Sequence, residues 1–281
     1  MKVNSSPFRG GLPPANRCMS VNSTRTAFLS AILIGGLLTL SFAGHTQTPQ
    51  TTRGVIRLKV RYKSADATKE LPRKRFFLIK GSLDENKSLA DAIKQTTLGS
   101  RECYYRSKGA SQRLIKWLED GDCESVYCRA IEERDVTGAD AVPEFKNAYD
   151  SAFQELKTPE IARRWLPNYL PADIRDGYYN LKQRTIEALL KQAEALSGKP
   201  SMSIMTDRKG TAYLTDIEPG TYTISNLVPS ETGKTNILWL CEREVKAGDL
   251  SIAMRRPFIL SNEKDPKVKC EVIERPLPVC N

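Results

Sequence analysis

From residue 54 the chain alternates. In GVIRLKVRY, Ile56, Leu58, Val60 and Tyr62 fall on one side and Arg57, Lys59 and Arg61 on the other, and this period of two predicts a half-buried strand. A second strand, RFFLIK, follows the turn-rich SADATKELP. Over about 86–196 the period becomes helical. Ser88, with Asp91 three residues on, is the expected cap of LADAIKQ, and Ser111 that of QRLIKWLED, which stacks Leu114, Trp117 and Leu118 on one side. Pro143 suits a first helical turn ahead of Phe145, Tyr149, Phe153 and Leu156. The longest helix is predicted over about 172–197, with Ile174, Tyr178, Leu181, Leu189 and Leu196 on a common stripe, and such stripes ordinarily face a core.

Strand signals return at Ser201. SMSIMT, TAYLTDI, TYTISNLV, NILWLCEREV, LSIAM and KVKCEVIE are short segments separated by turn residues, a pattern typical of all-β structure. Between two of them, Pro219 presets φ for the second position of a tight turn and Gly220 accepts the positive φ of the third. Glu218-Pro219-Gly220-Thr221 therefore reverses the chain, and the runs on either side are expected to be antiparallel neighbours.

TDRKGTAYLTDIEPGTYTI (206–224) resembles the carboxypeptidase regulatory-like group of transthyretin-like β-sandwiches, whose pattern is Asp, a few residues, Gly, a strand, then Pro-Gly-x-Tyr. Asp207, Gly210, Pro219, Gly220 and Tyr222 fall on it. The resemblance covers about 90 residues, 54–84 and 200–262. It implies an antiparallel Ig-like or transthyretin-like β-sandwich of about seven strands; the helical block between the second and third strands departs from the family, and with it the expected fold class is α+β. An α-helical subdomain is inserted at 86–198, and a C-terminal strand and tail, 263–281, is tied down by disulfides. A helical excursion of about 110 residues is long for a passive connection and points to function. Removing 88–198 is expected to leave a folded sandwich. Some related bacterial surface domains form Lys-Asn isopeptide bonds; Lys59 lacks matching Asn and acid partners, so that chemistry is not carried over. Such sandwiches serve as adhesin stalks, enzyme appendages and transporter plugs, and the fold alone does not choose among roles.

Export changes how charge and cysteine are read. Residues 1–26 carry Lys2, Arg9, Arg17 and Arg25 and no acid, and AFLSAILIGGLLTLSFA follows to Ala43. This is the layout of a signal peptide, 1–43, cleaved after Ala43, with Met19 as an alternative start. Cys18 precedes the apolar run and lacks a lipobox. An uncleaved leader would instead anchor the chain in a membrane. Loss of the leader leaves 39 Lys and Arg against 33 acids, a balance of +6 in place of +10, alternating in sign along the chain. That excludes a nucleic-acid stripe and leaves at most a weak attraction to anionic envelope polymers.

Six cysteines remain: Cys103, Cys123, Cys128, Cys241, Cys270 and Cys280. An even number in an exported chain points to disulfides. Three lie in 103–128 and three in 241–280, so complete pairing requires at least one bridge between the groups. No Cys-x-x-Cys knuckle supports zinc, and the spacing of CESVYC does not suit a thioredoxin-like redox pair.

The single histidine, His45, falls within two residues of the expected mature end, so no histidine base or metal ligand is in reach of a buried site. SETGKT (230–235) ends like a phosphate loop, but Val228 occupies the place of the first glycine and strands flank it; it reads as a hairpin loop. SNEK (261–264) matches Ser-x-x-Lys without a helix to present it. Paired acids, Asp120 with Asp122 and Asp207 with Asp216, could in principle cut a glycosidic bond or hold calcium; turn and cap chemistry accounts for them better. Asn86-Lys87-Ser88 is a glycosylation acceptor in a eukaryotic host only.

No catalytic, metal or cofactor site is therefore expected. Tyr104, Tyr105, Arg106, Tyr178 and Tyr179 form the candidate partner surface, since exposed tyrosine and arginine favour protein contacts. The role that fits is a secreted, periplasmic or envelope-associated binding or assembly module, with the helical insertion recognising a protein or an envelope polymer. A carboxylate-based hydrolase or lyase in the insertion is the alternative, and an accessory subunit held by an uncleaved leader another.

Overall fold

The computed structural model describes residues 53–64, 67–247 and 256–280. All lie in Pro49–Asn281, the second of two units into which the chain divides, the first being Met1–Thr48. The expected leader with Cys18 and Met19, His45 and the strand LSIAM lie outside the described residues.

The fold is α+β, with two sheets rich in antiparallel pairs. One sheet is built on β1 (Gly54–Lys63), which pairs antiparallel with β2 (Thr68–Glu70) and β5 (Thr211–Ile217) and parallel with β9 (Phe258–Leu260). The other runs β10–β8–β6–β3–β4, comprising β10 (Cys270–Pro276), β8 (Thr235–Val245), β6 (Gly220–Ser225), β3 (Arg75–Lys80) and β4 (Met202–Met205), with β7 (Ser230–Thr232) also on β8. Ile56, Leu58 and Val60 alternate inward from β1 to meet Phe76, Leu78, Ile224, Ile237 and Trp239 in one buried cluster between the sheets. That arrangement is consistent with a β-sandwich.

Between β3 and β4 lie the eight α-helices of the described residues, with a short 3-10 turn (Leu166–Tyr169) between the sixth and seventh: α1 (Lys87–Gln95), α2 (Arg101–Ser107), α3 (Gln112–Asp120), α4 (Glu133–Val136), α5 (Pro143–Leu156), α6 (Pro159–Trp165), α7 (Ala172–Arg175) and α8 (Gly177–Ser197). Leu89, Ala90 and Ile93 of α1 and Ile186, Leu189 and Ala193 of α8 cover the opposite face of the larger sheet, against Phe77, Ile79, Leu238 and Leu240. This double coverage explains why β3 and β8 are nearly continuous apolar runs where β1 alternates. Removing 88–198 would bare Phe77, Ile79, Leu238 and Leu240 to water, so the sheets are not expected to stand without the helices, contrary to the reading from sequence. A second helical core gathers Tyr105, Leu114, Trp117, Phe145 and Tyr178.

Several local expectations are corrected. Ten strands are described where about seven were expected; the additional β2, β7 and β9 are three residues each, too short for alternation to register. One pairing, β1 with β9, is parallel. The runs flanking Pro219-Gly220 are not paired with each other: β5 joins β1 in the smaller sheet, and β6 joins β3 and β8 in the larger. The turn is a corner between sheets, held by the buried Tyr222, whose hydroxyl donates to the Glu218 carbonyl at 2.8 Å. α1 begins at Lys87 with Asn86, not Ser88, at its N-cap. Asn86 is buried and its amide donates to Lys80 O, Ser82 O and Thr223 Oγ1, so it is closed to glycosylation in the folded chain. The long helix breaks at Asp176 into α7 and α8.

Candidate functional site

The helices and the larger sheet meet through a set of charges that ought to be costly to bury. Approaching β3, Arg73 takes a left-handed backbone, φ 57°, and the buried Thr206 at the end of β4 holds this turn: Arg73 N donates to Thr206 O at 3.0 Å and Lys74 N to Thr206 Oγ1 at 2.8 Å. The turn directs Lys74 onto Asp122 at 2.8 Å, while Arg73 and Arg75 point to solvent.

Arg101, at the start of α2 behind the Ser100 cap, is 8% exposed. Its guanidinium donates to Cys123 O at 2.8 Å and lies 3.8 Å from Asp122 and 3.6 Å from Glu231 of β7. Glu231 also accepts from Arg101 N at 2.6 Å and from the Tyr178 hydroxyl at 3.2 Å. Lys182 of α8, 9% exposed, is paired with Glu124. Three cations and three acids, drawn from the sheet, α2, α8 and the loop after α3, thus compensate one another. Such a set is poor evidence of stability in itself, but removing one member strands its partner in low dielectric.

The loop carrying Asp122 and Glu124 is fixed from several sides. Cys123–Cys128 closes it across five residues, Tyr105 donates its hydroxyl to Glu124 O at 3.1 Å, and Arg129 reaches Trp117 O at 2.7 Å. Burial pushes the Glu124 carboxyl up, yet Lys182 beside it, with Lys74 and Arg101 further off, outweighs burial and holds it below the ordinary range. Burial, reinforced by Glu231, pushes the Tyr178 hydroxyl up, so it stays a proton donor.

Over this network lies an open cleft of about 390 Å³. Arg73, Lys74 and Arg75, with Phe77 and Met205 behind them, form its sheet side; Tyr179, Lys182, Gln183 and Ile186 of α8 form the other. A second cleft of about 480 Å³, lined by Arg101, Glu119, Glu231 and Lys234 among others, lies across the Lys74–Asp122 pair. Elsewhere, Tyr127, Arg129, Glu160, Arg163 and Arg164 line a cleft on the helical face.

The tyrosines singled out from sequence divide. Tyr105 and Tyr178 are buried, their rings packed on each other and on Tyr104, because α2 and α8 face one another there; neither belongs to a partner surface. Tyr104 is half-buried, and Arg106 is exposed but engaged by Glu102. Tyr179 is 38% exposed and lines the cleft.

Asp207 and Gly210 make one turn: the Asp207 carboxylate accepts from Lys209 N at 2.8 Å and Thr211 N at 2.9 Å. Gly210 has φ 65° and could not carry a Cβ, which would stand 2.6 Å from Val60 O. The paired acids do not converge. Asp120 bonds Lys116, Asp122 bonds Lys74, and Asp216 faces Arg53. SETGKT is the hairpin between β7 and β8, closed by Thr232 opposite Thr235, and SNEK follows β9 outside any helix. Lys59 contacts Glu70 and Lys209 O.

The cysteines pair as Cys103–Cys280, Cys123–Cys128 and Cys241–Cys270. The first joins the two groups, as parity requires, and the last links β8 to β10 at directly opposite positions. Among the described residues no cluster of three or more potential metal ligands occurs, and no helix is long and apolar enough to cross a membrane.

Sequence missed Arg101, Lys182 and the cleft. Lys182 carried a signal: the buried positions of α8 are Tyr178, Lys182, Ile186, Leu189 and Ala193, a helical stripe with a charge inside it.

No protein-family model and no curated protein matches the chain. Among solved structures, the pilus backbone RrgB of Streptococcus pneumoniae is similar at 10% identity over 75% of this chain and 41% of that one, with a TM-score of 0.22. A full-length structure of the same pilus protein is similar at 10% identity over 70% and 26%, also at 0.22. This chain therefore spans less than half the length of either, and at that TM-score the likeness carries no conclusion about fold or role.

Proposed function

We propose that this is an exported, non-catalytic binding or assembly module: a disulfide-stabilised sandwich, transthyretin-like in its Asp207 to Tyr222 pattern, with the helical segment as its recognition element. One observation carries the reading. The cleft between α8 and β3 presents Tyr179 and Met205, 38% and 51% exposed, beside side chains with hydrogen-bonding capacity, on a base immobilised by the ion network and the Cys123–Cys128 bond. Exposed aromatic and apolar groups on a rigid base are what an interface favours. Three disulfides suit an oxidising compartment, extracellular or within the envelope. Asp120 and Asp122 each pair with a separate lysine, an arrangement that favours this reading over a carboxylate-based hydrolase in the insertion.

The test is recovery of the partner from the native host on the full chain, identified by mass spectrometry. Tyr179→Ser with Gln183→Glu, both at the cleft, is expected to lose that partner, while Tyr213→Ser on the exposed face of β5 keeps it. A partner held equally by all three proteins would contradict a role for the cleft.

A further inference from the structure

The charges of this cleft do not balance, and the excess has a definite place. Four cations, Arg73, Lys74, Arg75 and Lys182, line it with two acids, Asp122 and Glu124. Lys74 and Lys182 are the ones the acids neutralise. Arg73 and Arg75 are left: both are exposed, and among the described residues neither guanidinium has an ion-pair or hydrogen-bond partner. Arg73 sits in the turn just before β3 and Arg75 opens the strand, so both line the cleft, and Arg75 shares a strand face with Phe77. Phe77 continues that face inward, and with Ile186, Met205 and Tyr179 it gives the cleft an apolar wall.

The backbone here is under strain. Arg73 at φ 57° and Asp122 at φ 49°, both non-glycine residues in the left-handed region, line the cleft, and Leu227 at φ 60° follows Asn226 of the same lining. Three of the five such residues described thus gather at one place, and strained backbone persists where surrounding structure holds it in a functional geometry.

We infer that the cleft takes an acidic, amphipathic stretch of polypeptide, a carboxylate between Arg73 and Arg75 and a neighbouring apolar side chain against Phe77, Ile186 and Met205. This rests on the cleft being the binding site. Guanidinium favours carboxylate through paired, charge-assisted hydrogen bonds. A uniformly charged polymer fits less well, because the apolar wall of Phe77, Ile186 and Met205 would meet no apolar group. The volume of about 390 Å³ accommodates a few side chains, within the range of ordinary ligand pockets.

The experiment is fluorescence anisotropy on the full oxidised chain with a short labelled peptide alternating glutamate and leucine. Parallel arms use a lysine–leucine peptide, polyglutamate and heparin. Saturable binding of the glutamate–leucine peptide is expected, weakened by salt and by about tenfold or more in R73Q/R75Q, a loss equivalent to one charged hydrogen bond. Met205→Asp should also weaken it. These positions are exposed, and an unchanged circular dichroism spectrum confirms that each variant is folded. Binding unaffected by R73Q/R75Q, equal binding of the lysine–leucine peptide, or no saturable binding would overturn the inference. Heparin or polyglutamate binding through the two arginines more tightly than the peptide would overturn it in favour of a polymer. Loss of the native partner in the Tyr179 and Gln183 variant, without peptide binding, would leave the cleft as the site and refute only its acidic specificity.

Discussion

Lys182 occupies a position in the buried stripe of α8 where leucine would ordinarily sit, and Glu124 makes that tenable. Replacing either alone leaves the other poorly solvated, a cost of about 2 kcal/mol after allowance for partial exposure of Glu124. The pH dependence has a definite sign. Because the Glu124 carboxyl is held below its ordinary value of 4.5, its contribution to stability is fully present above that value and is lost as pH falls through the lower folded value. The advantage of the native chain over Glu124→Gln in thermal midpoint should therefore be large at about pH 6 and shrink toward about pH 3. A constant difference would mean that the pair contributes nothing through its charge.

At the scale of elements, the C-terminal segment depends on Cys103–Cys280, which ties it to α2 across 177 residues of chain. By the chain-entropy estimate so long a loop contributes roughly 5 kcal/mol as an upper value. Cys103→Ser with Cys280→Ser should lower stability to denaturant by about 3–5 kcal/mol, and amide exchange should quicken first at the end of β10. Unchanged stability would show that α2 and the tail are held by other contacts. What sequence revealed at this level followed from pattern: β1 alternated, β3 and β8 stood out as short apolar runs bounded by turn residues, and the helical run between β3 and β4 carried its own period. The corner at Pro219-Gly220 did not. A turn that reverses the chain reads alike whether the strands beyond it pair or part, and the choice is made by burial: β6 lies between β3 and β8 with its last four residues buried, while β5 keeps Tyr213 in water.

For the whole molecule, the helices and sheets are not independent pieces. The same apolar runs that make β3 and β8 central strands also receive α1 and α8, so the cleft is assembled from segments about 100 residues apart in sequence: Arg73 to Phe77 on one wall, Tyr179 to Ile186 on the other. That distance is why the site was not legible in advance. No local pattern brings LPRKRFF beside YNLKQRTI; only shared burial against the larger sheet does. The two tyrosine pairs were legible in part, because helical geometry sends adjacent residues in different directions, while which member is buried depends on packing between α2 and α8.

The claim that the cleft is the contact surface is tested most directly by placing a photo-crosslinking side chain at Tyr179, and separately at Tyr213, in the protein in its native host. A crosslinked partner is expected from position 179 and not from 213. Crosslinking from 213 with none from 179 would place recognition on the outer face of the smaller sheet and contradict it.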